Sequence, residues 1–566
     1  MTNKDTFYLT TPIYYVNAAP HMGTSYTTVA SDALARFMRS NGKDVWYLTG
    51  LDEHGQKIVQ AAEAEGKTPQ DWVNEVAPKF KHAWQTLQIT NDDFIRTTEE
   101  RHIRGVQHFF EVLHENGHIY KDTYQGYYCV PDETFFSDEQ LSEFAEAREA
   151  EHLPSKDKDG SPLCPDCGRA LGFVEEENLF FRLSAFEQAL LDYYEAHPSF
   201  IQPEIRRNEV LSFVRSGLKD LSVSRTTFSW GVPIPFAPGH VSYVWVDALL
   251  NYITALGYGS EAPKDQERFN RYWPAQIQFV GKDIIRFHCV IWPAMLMAAG
   301  LELPETVFAH GFLLAKGEKM SKSKGNVMDP FALSEIFSVD GYRYYFLRDV
   351  QFGTDGAISL ERMLQVYNAD LANSWGNLCS RALNMTAKYL GGITPDLWEA
   401  TTRLLAEEMK NPLATLVGEG LHARYAAALS AVDYSGAMDV VMELVDAANL
   451  YIEQSAPWAL AKAAATEAEE YAARGEDPAD AKAPTEADRL AFVLYNVLES
   501  IRIIALLFEP VMPESSAEVW RRLGLGDIHA IDEQATACTW GGLTAGLETT
   551  VGDPLFMRLT EDDINI

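Results

Sequence analysis

Residues 315–326 read AKGEKMSKSKGN and carry four lysines in twelve residues. Glycine and serine separate the lysines, so the composition predicts a flexible loop rather than a packed element. Lysine ammonium groups bind phosphates as point charges on flexible stems, without the fixed geometry of a guanidinium. A loop of this kind can close over a bound polyphosphate. This lysine-rich segment therefore predicts phosphate chemistry, although a solvated surface loop would explain any one of its lysines.

The stretch Pro20-His21-Met22-Gly23-Thr24 is a second candidate phosphate site. It follows the β-rich run FYLTTPIYYV and precedes apolar residues at helical spacing, so it marks the start of a helix. Free backbone N–H groups and the helix dipole attract anions at such a position. Neither G-x-x-x-x-G-K-[ST] nor G-x-G-x-x-G follows a strand in this chain. A nucleotide must therefore be held by other groups, such as this helix start and the lysine-rich segment.

Two blocks of alternating strands and helices position these residues. VWYLTG and a helix follow the first helix, and the alternation returns late with IQFVG, a helical stretch over 284–299 and TVFAHGFLL. Such alternation predicts a parallel sheet in one nucleotide-type α/β domain. The middle of the chain breaks the pattern, and the last third has almost purely helical periodicity. We predict a first catalytic half over 1–117, an insertion over 118–236, a second half over 237–325, a linker over 326–370 and a helix bundle with a tail over 371–566.

The composition excludes several classes of protein. The chain has 566 residues with 81 Asp and Glu against 47 Lys and Arg, a formal net charge of -34. This charge argues against non-specific binding to nucleic acid or to an anionic membrane, so a polyanion must meet local basic patches. Six unevenly spaced cysteines do not form a disulfide framework. No apolar signal region begins the chain and its apolar stretches look too short to span a bilayer, so we expect a cytoplasmic protein without a membrane.

The two candidate phosphate sites carry a family resemblance. His21-Met22-Gly23-Thr24 is similar to the HIGH signature of class I aminoacyl-tRNA synthetases, and residues 319–323 match the KMSKS signature letter for letter. Thr24 stands where the family often has a histidine, so it can donate a hydrogen bond but cannot carry an imidazolium charge. The resemblance implies catalytic roles for His21, Thr24, Lys319 and Lys322, with ATP bound by these residues and by Gly23, Gly281 and Asp283. Mg²⁺ is then expected on the phosphates.

Longer stretches narrow the resemblance to methionyl-tRNA synthetases. These are TTPIYYVNAAPHMG, GLDEHGQKI, SYVWVDALLNY, FVGKDIIRFHCVIWPAML and AHGFLLAKGEKMSKSKGN. The implied fold is a Rossmann-type class I synthetase catalytic domain split by an insertion, followed by an all-α helix-bundle anticodon-binding domain. The implied reaction joins L-methionine to ATP as an adenylate and transfers the methionyl group to tRNA(Met), initiator tRNA included. Asp52 matches the residue that holds the substrate ammonium. The implied pocket for the methionine side chain comprises Ile13, Tyr15, Trp245, Ala248, Leu249, Tyr252, Ile284, His288 and Trp292.

Spacing agrees with this pocket without proving it. Ile284, His288 and Trp292 are four residues apart, so a continuous helix would place them on one face. A buried core stripe would show the same spacing. An aromatic pocket suits a polarizable thioether, because sulfur gains about 0.3 to 1.5 kcal/mol per ring contact.

Four residues form a candidate metal site. Cys164 and Cys167 make a C-x-x-C pair with a turn glycine, a spacing suited to one edge of a tetrahedral zinc site. By resemblance, the second pair is Cys129 with Asp132, in which a carboxylate replaces a thiolate. A structural Zn²⁺ and a metal-free knuckle are both open at this point.

Asn377, Arg381 and Trp458 match anticodon-reading positions of the family. Stacking on tryptophan and hydrogen bonds from arginine or asparagine suit unstacked bases. We expect a monomer. A synthetase for another amino acid, such as cysteine or leucine, and a catalytically silent tRNA-binding protein are the alternatives.

Overall fold

The first block of the chain alternates strands and helices as its sequence predicts. The computed structural model describes residues 5–16, 19–129, 134–136, 138–315, 318–319, 329–396, 409–478, 481 and 483–564. The first elements are β1 Thr6–Tyr15, α1 Met22–Ser40, β2 Asp44–Asp52, α2 Gln56–Ala64, α3 Pro69–Thr86, β3 Asp93–Arg96 and α4 Glu100–Glu115. Because β1, β2 and β3 pair in parallel, helices must carry the chain back between them.

The middle of the chain forms a separate antiparallel sheet. Its elements are β4 Ile119–Cys129, β5 Thr134–Phe136, α5 Asp138–Ala150, β6 Gly172–Phe181, α6 Glu187–Ala196, β7 Ile201–Gln202, α7 Glu204–Arg215, β8 Leu221–Ser222 and β9 Ser224–Arg225. Strands β5, β4, β6 and β8 are neighbours in that order. Antiparallel pairing breaks the strand–helix rhythm, in agreement with the predicted insertion.

The second α/β block contains β10 Val241–Ser242, α8 Val244–Leu249, α9 Asn251–Thr254, α10 Pro263–Tyr272, β11 Ile277–Gly281, α11 Trp292–Ala299, β12 Val307–His310, β13 Leu313–Ala315 and β14 Glu318–Lys319. The elements α12 Pro330–Asp349, β15 Gly356–Ile358 and α13 Leu360–Val366 follow. Strands β14, β13 and β15 make a small sheet, so the lysine-rich segment begins in a hairpin. Residues 316–317 and 320–328 lie outside the described part of this segment.

One parallel sheet joins the two blocks, with strand order β3-β2-β1-β11-β12-β7. The edge strand β7 falls inside the range 118–236 that we predicted as insertion, yet it pairs in parallel with β12. Part of that range therefore contributes to the central sheet. The strand order reverses between β1 and β11, and ligands of open α/β sheets bind in the crevice at the carboxyl ends of such strands.

The sheet is buried on both faces. Tyr8 and Leu48 belong to one hydrophobic core, whereas their chain neighbours Leu9 and Tyr47 belong to another. Because side chains alternate along a strand, these pairs assign the two cores to opposite faces. Helices cover both faces, which explains why the strands read as continuous apolar runs.

Helices dominate the chain after residue 376. They are α14 Asn377–Leu390, α15 Pro412–Gly418, α16 Leu421–Ser430, α17 Tyr434–Ser455, α18 Pro457–Arg474, α19 Glu486–Phe508, α20 Pro513–Arg522 and α21 Gln534–Ala537. Helix α19 is long and apolar enough to cross a membrane by length and composition, so our expectation that the apolar stretches are too short is wrong for this helix. Of its most apolar window, 89% is buried, because α14, α17, α18 and α20 pack around it.

Candidate active site

A cavity of about 330 Å³ opens where the strand order reverses. Its lining includes Ile13 and Tyr15 of β1, Gly281 at the end of β11, and Gly311 and Leu313 from the segment that leads into the hairpin β13–β14. The volume falls in the range of small-molecule sites, about 300 to 1,000 Å³. The start of helix α1 and the strand that leads into the lysine-rich segment therefore border one cavity.

The tip of helix α1 forms the phosphate end of this cavity. His21 caps the helix, and its Nδ1 accepts a hydrogen bond from the Gly23 N–H at 3.1 Å. Because Nδ1 accepts, a neutral ring carries its proton on Nε2. Thr24 Oγ1 accepts from the His21 N–H at 3.0 Å and donates to the His21 carbonyl at 2.7 Å. The threonine hydroxyl therefore fixes the cap in which His21 is presented.

His310 connects the helix to the hairpin. Its Nδ1–H donates to the Gly311 carbonyl at 2.8 Å, so its Nε2 accepts from the Thr27 hydroxyl at 2.7 Å. Burial lowers the pKa of His310, which favours the neutral ring. Both residues line the cavity, and sequence reasoning missed them. The position of His310 at the end of β12, just before the lysine-rich segment, was the available signal.

The predicted side-chain pocket forms the other end of the cavity. The lining contains Asp52, Trp245, Ala248, Leu249, Tyr252, Ile284 and His288 in addition to Ile13 and Tyr15. The Tyr15 and Trp245 rings meet edge to face, with centroids 6.3 Å apart. Asp52 is 2% exposed, so a charge on its carboxylate is poorly screened by water.

His288 is held neutral at the base of this pocket. Its Nδ1–H donates to the Ile284 carbonyl at 3.0 Å, and its Nε2 accepts from the Tyr252 hydroxyl at 2.7 Å. Burial lowers the pKa of His288 to about 4. The ring is therefore uncharged at neutral pH.

Trp292 lies behind the pocket rather than in its lining. Its ring centroid is 6.1 Å from that of Tyr252, and its Nε1–H donates to Gln278. The expected single helix over 284–299 is instead a 3₁₀ turn at Lys282–Ile284, a π-helical turn at Phe287–Ile291 and then α11. Hydrogen bonds from i to i+5 in a π-helical turn change the angular phase of the helix. His288 and Trp292 both contact Tyr252, but of the two only His288 lines the cavity.

The lysines of the KMSKS-like stretch begin next to the cavity. The backbone of Lys319 pairs with Leu314, the neighbour of the lining residue Leu313. Lys322 lies outside the described residues. Asp283 and Gly281 line the cavity, and a Cβ at Gly281 would lie 2.5 Å from Asp283 Oδ1. Glycine at this position therefore allows the Asp283 carboxylate to stand against the backbone.

Comparisons with known proteins identify the family. A family profile described as tRNA synthetases class I (M) matches residues 7–383. The methionine--tRNA ligase of Thermotoga maritima is 44% identical over 562 residues, 98% of this chain and 81% of that protein. That of Streptomyces coelicolor is 45% identical over 573 residues, 98% of this chain and 97% of that protein. The chain belongs to the methionyl-tRNA synthetase family.

A solved member of the methionyl-tRNA synthetase family supports the fold assignment. The Mycobacterium tuberculosis methionyl-tRNA synthetase in complex with methionyl-adenylate is 41% identical and superposes with a TM-score of 0.83, covering 98% of this chain and 99% of that chain. The split parallel sheet and the helical C-terminal region are therefore those of a class I synthetase.

Three of the four predicted metal ligands lie together in this synthetase. The thiols of Cys129, Cys164 and Cys167 are within 4.8 Å of one another, with 3.5 Å between the sulfurs of Cys129 and Cys167. Thiolates about 2.3 Å from a tetrahedral zinc ion would be about 3.8 Å apart, so the cluster fits such an ion. Asp132 lies outside the described residues.

The predicted anticodon residues lie on the bundle surface. Asn377 is exposed at the start of α14, and Trp458 is 46% exposed at the start of α18. Arg381 Nη2 lies 2.5 Å from Glu453 Oε1 near the end of α17. Because Trp458 follows α17 closely, the ion pair brings Arg381 to the same end of the bundle.

Proposed function

We propose that this synthetase activates L-methionine with ATP and transfers the methionyl group to the 3′-terminal ribose of tRNA(Met), for initiation and elongation. The single observation that carries the proposal is the cavity, which combines a helix tip suited to phosphate with an aromatic pocket suited to a thioether. Its chemistry matches the methionyl-adenylate held by the Mycobacterium tuberculosis relative.

The residues divide the work of adenylate formation. Asp52 binds the substrate ammonium, and the aromatic pocket around Trp245 holds the side chain. The carboxylate of methionine then attacks the α-phosphorus of ATP, and pyrophosphate leaves. Negative charge grows on the phosphate oxygens, where preorganised donors lower the barrier most. The Nε2–H of His21 and the N–H groups of the α1 tip are such donors, and we assign the same role to Lys319 and Lys322 of the lysine-rich segment.

The remaining ATP contacts come from both walls of the phosphate end. Thr24 acts chiefly by holding the His21 cap, since its hydroxyl bonds the His21 backbone on both sides. Gly23 allows close approach of a phosphate at the helix tip. Gly281 and Asp283 lie across the cavity, where they contact the nucleoside part. Mg²⁺ bound to the triphosphate would offset its charge.

Two further assignments rest on surfaces outside the cavity. One structural Zn²⁺ stabilises the insertion, and its ligands are Cys129, Asp132, Cys164 and Cys167. Asn377, Arg381 and Trp458 read the anticodon. No disulfide joins any of the six cysteines, all of which lie in the described part of the chain. Zinc content measured on purified protein, before and after chelation, tests the metal assignment, and absence of zinc from a correctly folded, zinc-replete preparation contradicts it.

Methionine-dependent ATP–pyrophosphate exchange tests the activity. We expect exchange with methionine, and none at comparable concentrations of leucine or cysteine. Asp52→Asn should raise the KM for methionine about tenfold to a hundredfold, the factor that corresponds to one hydrogen bond between charged groups. Asp122→Asn, on the exposed insertion sheet, is the matched control and should leave that KM unchanged. Exchange that does not depend on methionine would refute the proposed activity.

A further inference from the structure

A buried carboxylate links two walls of the proposed methionine pocket without lining the cavity. Asp247 is fully buried, and each of its oxygens accepts a hydrogen bond from a histidine. His54 Nδ1–H donates to Oδ2 at 2.7 Å, and His102 Nε2–H donates to Oδ1 at 2.9 Å. Burial alone raises the pKa of Asp247, but His54 and His102 lower it to about 2. Asp247 is therefore a carboxylate that accepts both bonds throughout the physiological pH range.

The partners of Asp247 belong to the elements that carry the pocket. Asp247 lies in α8, a helix of six residues whose other face presents Trp245, Ala248 and Leu249 to the cavity. His54 follows Asp52 by two residues, just after the end of β2. One carboxylate thus joins the segment that would bind the substrate ammonium to the helix that would bind the substrate side chain.

Further contacts make each end of this link rigid. His102 lies in α4, and its Nδ1 is 2.7 Å from the Thr254 hydroxyl in α9, the helix that also carries the lining residue Tyr252. On the other side, Trp230 Nε1–H donates to the Glu53 carbonyl at 2.7 Å. A charged acceptor in a dry site forms strong hydrogen bonds, so the separation of the two pocket walls is fixed before substrate arrives.

We propose that Asp247 and His54 are positioning residues that set the distance between the Asp52 carboxylate and the wall formed by α8. This inference rests on the proposed assignment of the cavity to methionine. A substrate must reach both walls at once, so their separation selects the length of its side chain. Ethionine, one methylene longer than methionine, is disfavoured when that separation is fixed.

Two substitutions of His54 test the link, because asparagine keeps a hydrogen-bond donor and leucine does not. His54→Asn keeps a donor near the Nδ1 position, whereas His54→Leu removes it and leaves Oδ2 of Asp247 without that bond. In pyrophosphate exchange, His54→Leu should raise the KM for methionine tenfold or more and keep the KM for ATP within twofold. It should also reduce the preference for methionine over ethionine. In His54→Asn, the KM for methionine and the preference for methionine over ethionine should both stay close to those of the parent.

The matched control is His422→Leu, which removes a half-buried histidine from the helix bundle, where its Nε2 lies 3.3 Å from Gln534 Oε1. This control should leave both KM values unchanged. A KM for methionine within twofold of the parent in His54→Leu would overturn the proposal. So would an equal rise in the KM for ATP, since that result indicates a general structural role. If His54→Leu does not fold, His54→Gln, with its donor displaced by one bond, is measured against the same criteria.

The same assay separates this inference from the assignment on which it rests. If Asp52→Asn leaves the KM for methionine unchanged, the cavity is not the methionine site, whatever His54→Leu does. If Asp52→Asn raises that KM and His54→Leu does not, the cavity assignment stands and the positioning role is refuted.

Discussion

Lowering the pH tests the state of His288 at the base of the proposed pocket. Burial lowers the pKa of His288 from its ordinary 6.5 to about 4. At pH 5.5 such a ring is about 3% protonated, whereas a ring with a pKa of 6.5 would be about 90% protonated. An apolar thioether does not bind beside a charged ring, and loss of nine-tenths of the competent form would raise the apparent KM about tenfold. We expect instead that His288 causes no such rise between pH 7.5 and 5.5.

The same shift affects folding. A folded-state pKa below the unfolded value means that the unfolded chain binds the proton first, so stability is lost as the pH falls from 6.5 towards 4. This lowering of the pKa corresponds to about 3 kcal/mol, of which about 2 kcal/mol is lost by pH 5. His288→Gln keeps an acceptor for the Tyr252 hydroxyl but does not titrate.

Urea unfolding of the parent and of His288→Gln between pH 7.5 and 5 measures this term. The parent should lose about 2 kcal/mol more than the variant over that range. Methionine KM values, measured in parallel by pyrophosphate exchange, should show the same pH dependence in both proteins. Parallel stability curves, or a tenfold rise in KM at pH 5.5 that His288→Gln abolishes, would refute a neutral buried ring.

Three other changes test separate parts of the molecule. Gly311→Ala would place a Cβ 2.1 Å from a backbone carbonyl of the facing segment. We therefore expect a loss of about 1 to 3 kcal/mol in the free energy of unfolding measured in urea, and weaker pyrophosphate exchange. Gly526→Ala, with open space around it, serves as the control. Burial raises the pKa of Asp32, but Arg36 and the buried Arg343 lower it to about 2. Asp32→Asn should therefore cost about 2 kcal/mol at pH 7, a difference that shrinks as the pH falls from 3.8 towards 2. Trp458→Ala should raise the KM for tRNA about fivefold to hundredfold, the factor that corresponds to the loss of one stacked base, and should leave pyrophosphate exchange intact. Equal effects on both assays would contradict an anticodon role.

Local sequence patterns were enough to predict the parallel sheet and the helix start that borders its ligand crevice. Continuous apolar runs followed by helix starts specify parallel strands, and the carboxyl ends of such strands meet at one edge. The carboxyl ends of β1 and β11 therefore lie at the same edge, although their direct pairing is known only from the structure. The N-terminal helix cap formed by His21 and Thr24 is also a local feature, since both residues belong to one helical turn.

Hydrogen bonds between residues far apart in the chain could not be predicted from a single sequence. Thr27 and His310 are separated by 283 positions, and His54 and Asp247 by 193. No local pattern marks either pair, because a histidine beside a carboxylate or a hydroxyl is recognisable only after the elements have packed. The π-helical turn at Phe287–Ile291 was not predicted either, because helical spacing arguments assume a fixed periodicity.

Helix α1 provides a common frame for the phosphate end, the hairpin and the bundle. Its tip holds His21, Thr27 donates a hydrogen bond to His310 further along the helix, and Asp32 binds the buried Arg343 at 2.7 Å. Arg343 also donates to the carbonyls of residues 510 and 511 in the bundle. A 19-residue helix is about 28 Å long and moves as a rigid body. Helix α1 therefore connects His21 at its tip to the helix bundle through the buried pair of Asp32 and Arg343.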